Sequence, residues 1–406
     1  MGKVTIYTLL LVILSACHPT SSPIPASSWE ELPVVAERME ANGHPFIVCH
    51  PEKLTDSIRI PLSHLVEDLE IIPLENKDEA YVRNTSILSE NYILLHSSRN
   101  MPFKLFDRKG KFVCNIGSVS SLPGGYSQIY DFQLDEAYNR IYLMPWNATE
   151  LTVYDLQGRL QPSIPLNSPN EKAWKLPKSV FHVDGDKQEI TVFTLPWENN
   201  PRMVWVQDFQ GRVLKEQPPT LFNFARTYSY EIHHNYNGDA FEFSLLDFAP
   251  QKEDTLYHYE SNTNRLLPVF TLDFPEGKMQ IHDHQELPTC FIGTIVGRME
   301  NMGLTSSETR DHVDFIVDKR TLRGGRYMVY NDFWGNIPTY WMDKSRHGYY
   351  ARNLSPAMLK EELEAALRRS DLTPAIRQKV SHLVESIDVE RDNNYLMIGK
   401  LKQLTP

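Results

Sequence analysis

With 406 residues, 41% of them hydrophobic and 11% aromatic, the chain carries ample apolar material for a buried core and is not a disordered polypeptide. Its formal net charge of −11 argues against a general nucleic-acid binder, because neutralising phosphates needs a basic surface. The length suits two or three average domains or a single repeat architecture.

The first residues read as an address. Lys3 precedes an apolar run from Val4 to Leu14 that is too short to span a bilayer, and Leu14-Ser15-Ala16-Cys17 follows. This pattern resembles a bacterial lipobox, which predicts a signal peptide over residues 1–16 and a lipidated Cys17; an ordinary signal peptide with a chance cysteine is the alternative. The Pro/Ser-rich residues 18–28 suit a flexible tether, and residues 17–54 together are assigned to it. The mature chain then holds Cys49, Cys114 and Cys290, whose wide spacing fits neither a disulfide framework nor a zinc site, so buried free thiols are expected.

From residue 55 onward the chain repeats. "KLFDRKGKF" (104–112), "TVYDLQGRL" (152–160) and "WVQDFQGRV" (205–213) share an apolar run, an Asp, a Gly and a basic residue. The position before the Asp recurs as Phe106, Tyr154, Gln207, Tyr259 and Tyr330. Asp-x-x-Gly between apolar runs signals a hairpin, since Asp bonds its own downstream backbone and Gly supplies a positive φ. In the fourth copy Asn264 takes the glycine place, and that copy and the fifth, with Gly335, are each one residue longer. Strand-like runs such as 90–97, 138–145, 187–196, 239–248 and 311–318 precede the hairpins. Four short strands in about 50 residues make one blade of a β-propeller, whereas a sandwich would not repeat one hairpin at this period. The expected fold is all-β: a six-bladed propeller over residues 55–406, with seven blades the alternative. Closure is expected to pair 68–75 with the C-terminal strand 393–402.

Two departures interrupt the period. The fourth-to-fifth interval is about 20 residues too long for one blade. Near the C-terminus, Ser355-Pro356 and Thr373-Pro374 each cap a helix, the first with Leu359, Leu363, Ala366 and Leu367 on one face, the second with Ile376, Val380, Leu383 and Val384. A helical hairpin inserted at about 355–388 follows, read as a cover on the last blade, with a partner-binding element the alternative.

The chain resembles the NHL-like six-bladed β-propeller lipoproteins of Bacteroidota, a family mostly without assigned function. The resemblance rests on Cys17, "EDLEIIPLE" (67–75), "FDRKGKFVCNIG" (106–117), "LPGGYSQIYDFQLD" (122–135) and "DNNYLMIGKLK" (392–402), and covers roughly residues 55–406. Gly125 stands where the family usually carries an acidic residue, so any role of that carboxylate is absent. The resemblance implies an exported, outer-membrane-anchored lipoprotein of a Gram-negative bacterium, its membrane side undetermined, and implies no reaction.

Catalytic signatures are missing: there is no G-x-S-x-G, Walker loop, H-E-x-x-H, EF-hand loop or dinucleotide fingerprint. "GGYS" (124–127) is a turn. His282 and His284, two apart, share a strand face and with Glu286 make a weak metal candidate, exposed loop histidines being the default; His233-His234 is weaker still. No cofactor or metal is therefore expected. A better handle is loop equivalence. The segments 96–100, 145–149, 196–200, 250–254 and 318–325 precede successive hairpins and are expected to join second to third strands on one face. That face would gather Trp146, Trp197, Arg99, Lys252, Lys319, Arg320 and Arg323 against Glu198, Glu253 and Asp254. Trp offers a platform for a sugar ring and Arg a fork for carboxylate or sulfate, although packing between blades is the default role of each Pro-Trp pair. Phe333, Trp334, Tyr340 and Trp341 are expected at the opposite face or outer edge. The ligand-binding candidates are Trp146, Trp197, Arg99, Arg320 and Arg323. The expected function is a non-enzymatic binding or scaffold propeller for a glycan or protein partner, touching the membrane only through its lipid; a hydrolase or lyase acting on carbohydrate or lactone is the alternative, by analogy of fold.

Overall fold

Strands Ser57–Pro61 and Glu70–Pro73, the first to follow the expected tether, already belong to two different sheets, because the N-terminal segment wraps the outside of a ring. The computed structural model describes residues 28–403 apart from 83–85, 97–99, 123–124, 147, 168–177, 196–201, 219–229, 236–240, 248–254, 277, 297–298, 302–306, 310–311 and 340–347. Six antiparallel sheets stand around the ring as the blades of a β-propeller. The first five span residues 86–116, 129–165, 179–217, 230–272 and 281–331, each with four strands running outward from the centre in chain order. The sixth combines Tyr349–Leu354 and Tyr395–Lys400 with Glu70–Pro73, whose register Tyr395↔Pro73 to Ile398↔Glu70 closes the ring as expected. A sheet closed on itself leaves no open edge at the junction.

Six apolar clusters hold the ring, one between each pair of neighbouring blades. The third blade shows how. Phe181, Val183, Ile190, Val192 and Trp205 face the second blade, while Val180, Phe193, Val204 and Val206 face the fourth. Middle strands are thus covered on both faces and read as continuous apolar runs ("ITVF", "VWV"), whereas the outermost strand Val213–Gln217 alternates between half-buried and exposed residues. In three blades the end of the outermost strand also meets the next blade at or beside its third-to-fourth turn. Glu75 N donates to Gly110 O (2.8 Å), Gln207 Nε2 to Pro165 O (2.7 Å) and Asn264 Nδ2 to Glu216 O (3.1 Å). By this match Glu70–Pro73 is the fourth strand of the sixth blade, Tyr395–Lys400 its third and Tyr349–Leu354 its second.

The tether assignment needs correction where the chain is described. Ala36–Ala41 and His44–Cys49 form a hairpin, turned by Asn42 (φ 52°) and Gly43 (φ 77°), that extends the fourth blade by pairing parallel to Arg265–Leu272. Ser57–Pro61 pairs parallel to the fourth strand of the fifth blade. Val35, Ile47, Cys49 and Leu54 are buried in the cluster between those blades, which is why the segment stays on the ring. All three described cysteines are free, with Cys49 and Cys290 buried.

The helical hairpin is where the sequence places it. Helix α1 (Pro356–Leu367) and helix α2 (Pro374–Ser386) are capped by Ser355 and Thr373, whose side chains accept from Met358 N and Ile376 N. Leu359, Leu363, Ala366 and Val380 enter the cluster between the fifth and sixth blades. Buried Arg352 ties α1 down, donating to Glu362 (2.8 and 3.1 Å) and to Thr339 Oγ1 (2.9 Å). The excess length before the fifth hairpin includes a two-stranded ribbon, Met299–Asn301 with Ser307–Thr309, between the second and third strands of that blade.

Candidate functional site

Antiparallel blades give the ring two unlike sides. Turns joining first to second and third to fourth strands share one side; loops joining second to third strands share the other, the mouth side, where every first strand begins. Asp107, Asp155 and Asp208 mark the turn side, each carboxylate accepting two backbone N–H groups of its own turn. Gly110, Gly158 and Gly211 there have φ of 82°, 74° and 82°, and Asn264 substitutes at 53°, as its sequence position implies.

This frame separates the expected site residues. Trp146 lies at the mouth, at the end of the second strand of the second blade, its N–H bonded to Gln128 O (2.7 Å). Arg320 and Arg323 do not. The fifth blade's third and fourth strands are His312–Asp318 and Gly324–Asn331, so 318–323 is a third-to-fourth turn on the opposite side. Asp318 accepts from Arg320 N and Thr321 N, and Leu322 takes the glycine place at φ 60°. Arg323 donates to Leu32 O and clamps the N-terminal segment. The "NDFWGN" stretch read as the fifth hairpin is a later turn, closed by Asn336 N on Asn331 O (2.7 Å), and Trp334 there is buried, under Lys379. Arg99, Trp197, Lys252, Glu198, Glu253, Asp254, Tyr340, Trp341 and Cys17 lie outside the described residues.

At the mouth Trp146 is joined by residues that the sequence did not single out. Tyr130 is the extra residue of a β-bulge: Ile129 pairs with Pro145 and Asp131 with Met144, leaving Tyr130 without a counterpart. A bulge re-aims the side chain it carries. Its neighbours Asp131 and Gln133 turn to the third blade, accepting from Phe181 N (3.0 Å) and Val183 N (2.8 Å). Tyr130 instead crosses to the fourth blade and donates to Glu231 Oε2 (2.6 Å). Lys178, immediately before the third blade's first strand, reaches the other oxygen of that carboxylate at 2.5 Å. The indole of Trp146 stands edge-on to the Tyr130 ring (5.6 Å, 70°), with Lys178 Nζ 5.9 Å from its centre. Three consecutive blades thus meet in one half-buried group of an indole, a phenol, an ammonium and a carboxylate. Burial, then the hydrogen bond to Glu231 and its charge, push the Tyr130 phenol far up, so it stays a donor. What such a group offers a ligand is an aromatic edge and face beside a fixed acceptor.

The histidine pair reads differently from expectation. His282 and His284 are buried on the strand Ile281–Glu286, packed by Phe274 and Phe270, and are not exposed loop residues. They share a side with Glu286, which is held by His258 (2.5 Å) and Lys319. Burial works against the charge of Glu286, yet these two partners hold its carboxyl below the usual range. Among the described residues no three His, Cys, Asp or Glu side chains are grouped to hold a metal. His233 and His234 lie on the strand Tyr230–Asn235.

Comparison with known proteins follows the fold. A family model described as "Domain of unknown function (DUF4934)" matches residues 46–400, nearly the whole ring. A candidate exported protein of Bacteroides fragilis superposes with a TM-score of 0.54 at 15% identity, covering 85% of this chain and 99% of its own. A DUF4221 family member from Bacteroides vulgatus gives 0.43 at 13% identity, with 83% and 97% covered. The periplasmic gluconolactonase PpgL of Pseudomonas aeruginosa gives 0.34 at 12%, with 59% and 68% covered. No curated protein matches the chain in sequence.

Proposed function

The chain belongs to the DUF4934 family, and from that premise we propose that it is an exported binding propeller, NHL-like in its blades, that holds a glycan at the mouth side and performs no reaction on it. The convergence of Tyr130, Trp146, Lys178 and Glu231 from three blades carries the reading. A sugar ring presents C–H groups to an indole and hydroxyl donors to a carboxylate, which is the pair of surfaces this group supplies. Trp197 and Arg99 extend the site by their places in sequence, between the second and third strands of the third and first blades.

Export and anchoring at Cys17 in the outer membrane complete the proposal. They are supported by the apolar run ending in Leu14-Ser15-Ala16-Cys17 and accord with the export assigned to the Bacteroides fragilis neighbour.

The test is glycan-array and calorimetric binding of the mature protein beside Trp146→Ala. Loss of at least about tenfold in affinity is expected for whichever glycan binds, the effect of truncating an aromatic anchor. Unchanged affinity in the variant would overturn the site.

A further inference from the structure

Among the described residues the mouth has a definite charge order, and it points to the class of sugar. We propose that this site selects neutral glycans, rich in hydroxyls and without carboxylate, sulfate or phosphate; the inference rests on reading the mouth as a glycan site. Lys178 is the covered partner of its ion pair, with 4% of its side chain exposed, whereas Glu231 is 26% exposed. Both donors beside Glu231, the Lys178 ammonium and the Tyr130 phenol, are directed onto that carboxylate. The charged group turned toward solvent is therefore an acceptor. Sugar hydroxyls donate to it readily, while an anionic substituent brought to the open side of Glu231 meets a like charge.

Among the described residues the neighbouring cations do not reverse this order. Arg202, at the start of the third blade's third strand, donates to Asn167 Oδ1 (2.7 Å) and faces Glu216 (3.7 Å). His96, on the first blade's loop, is stacked on Phe103 (4.3 Å), and burial holds its pKa below the usual value, so it is uncharged at neutral pH. Arg320 and Arg323, the forks that would suit an anionic sugar, belong to the turn side. Of the expected Trp and Arg set these two forks thus leave the mouth, and of its arginines Arg99 alone is still assigned there, by its place in sequence.

The experiment measures binding of the mature protein to cellohexaose, maltohexaose, mannohexaose and xylohexaose beside oligogalacturonate and chondroitin sulfate. At least one neutral probe is expected to bind in a Trp146-dependent way, and both acidic probes at least about tenfold more weakly. Removing Glu231 alone would strand a buried charge, so the companion variant is Lys178→Met with Glu231→Gln, which removes both. It is expected to weaken the neutral probe about tenfold and to narrow the gap to the acidic probes. An acidic probe that binds as tightly as the neutral ones, and depends on Trp146, overturns the selectivity but leaves the glycan mouth standing. An unchanged gap in the double variant overturns the role of Glu231. If no probe binds in a Trp146-dependent way, the reading of the mouth falls and this inference with it.

Discussion

Gln207 stands where the other repeats carry Phe106, Tyr154 and Tyr259, and its neighbours explain the exchange. It is fully buried, donates to Pro165 O, accepts from Asn167 N (2.8 Å) and takes the Trp205 indole N–H (3.1 Å). A buried amide is tolerated because its groups are satisfied. Sequence shows the polar residue, but its partners Pro165 and Asn167 sit about forty positions earlier, beyond its own blade. His96 is a second single-residue case. Burial favours its neutral form, so its folded pKa lies below the ordinary value of about 6.5. The unfolded chain then takes up the proton first as pH falls, and stability present above about 6.5 declines below it. The melting temperature is expected to drop more steeply between pH 7.5 and 5.5 in the wild type than in His96→Gln; equal slopes would count against this histidine.

At the scale of elements, hairpin chemistry was the most legible part. Asp-x-x-Gly named the turns of the first three blades, and Asn264 was readable as a glycine substitute. The fifth turn escaped because Leu322 occupies the left-handed position in a turn one residue longer, while Gly335 and Asn336 imitate the pattern farther on. Misplacing that turn moved Arg320 and Arg323 to the wrong side. Asn42-Gly43 was a strong hairpin signal too, hidden by its place in a segment read as tether. Glycines at these turns do unequal work. A Cβ on Gly110 would collide with the Pro73 carbonyl oxygen on the strand that closes the ring, whereas one on Gly43 meets open space. In urea unfolding, Gly110→Ala is expected to cost more than about 2 kcal/mol and Gly43→Ala about 1 kcal/mol, the left-handed strain by itself. Similar losses would show that the contact with Pro73 is unimportant.

For the whole molecule the decisive contact is between chain ends. Leu396, Met397 and Ile398 lie in a strand covered on one edge by Tyr349–Leu354 and on the other by Glu70–Pro73. Removing residues 1–75 would uncover that edge and part of three apolar clusters. The truncated protein is expected to aggregate or to lose its single cooperative melting transition, while removal of residues 1–27 leaves both intact. A monodisperse, cooperatively melting 76–406 chain would show that the ring closes without its N-terminal strand.

What the sequence determined by itself was local or periodic: the blade repeat, most turns, both helix caps and the strand that closes the ring. These follow from backbone preferences and apolar runs that act over a few residues. Only the tertiary structure decided which loops share a side, and only it brought Tyr130, Lys178 and Glu231 to Trp146. That convergence depends on one extra residue in a strand and on blades meeting around a ring, neither of which leaves a signature in neighbouring residues.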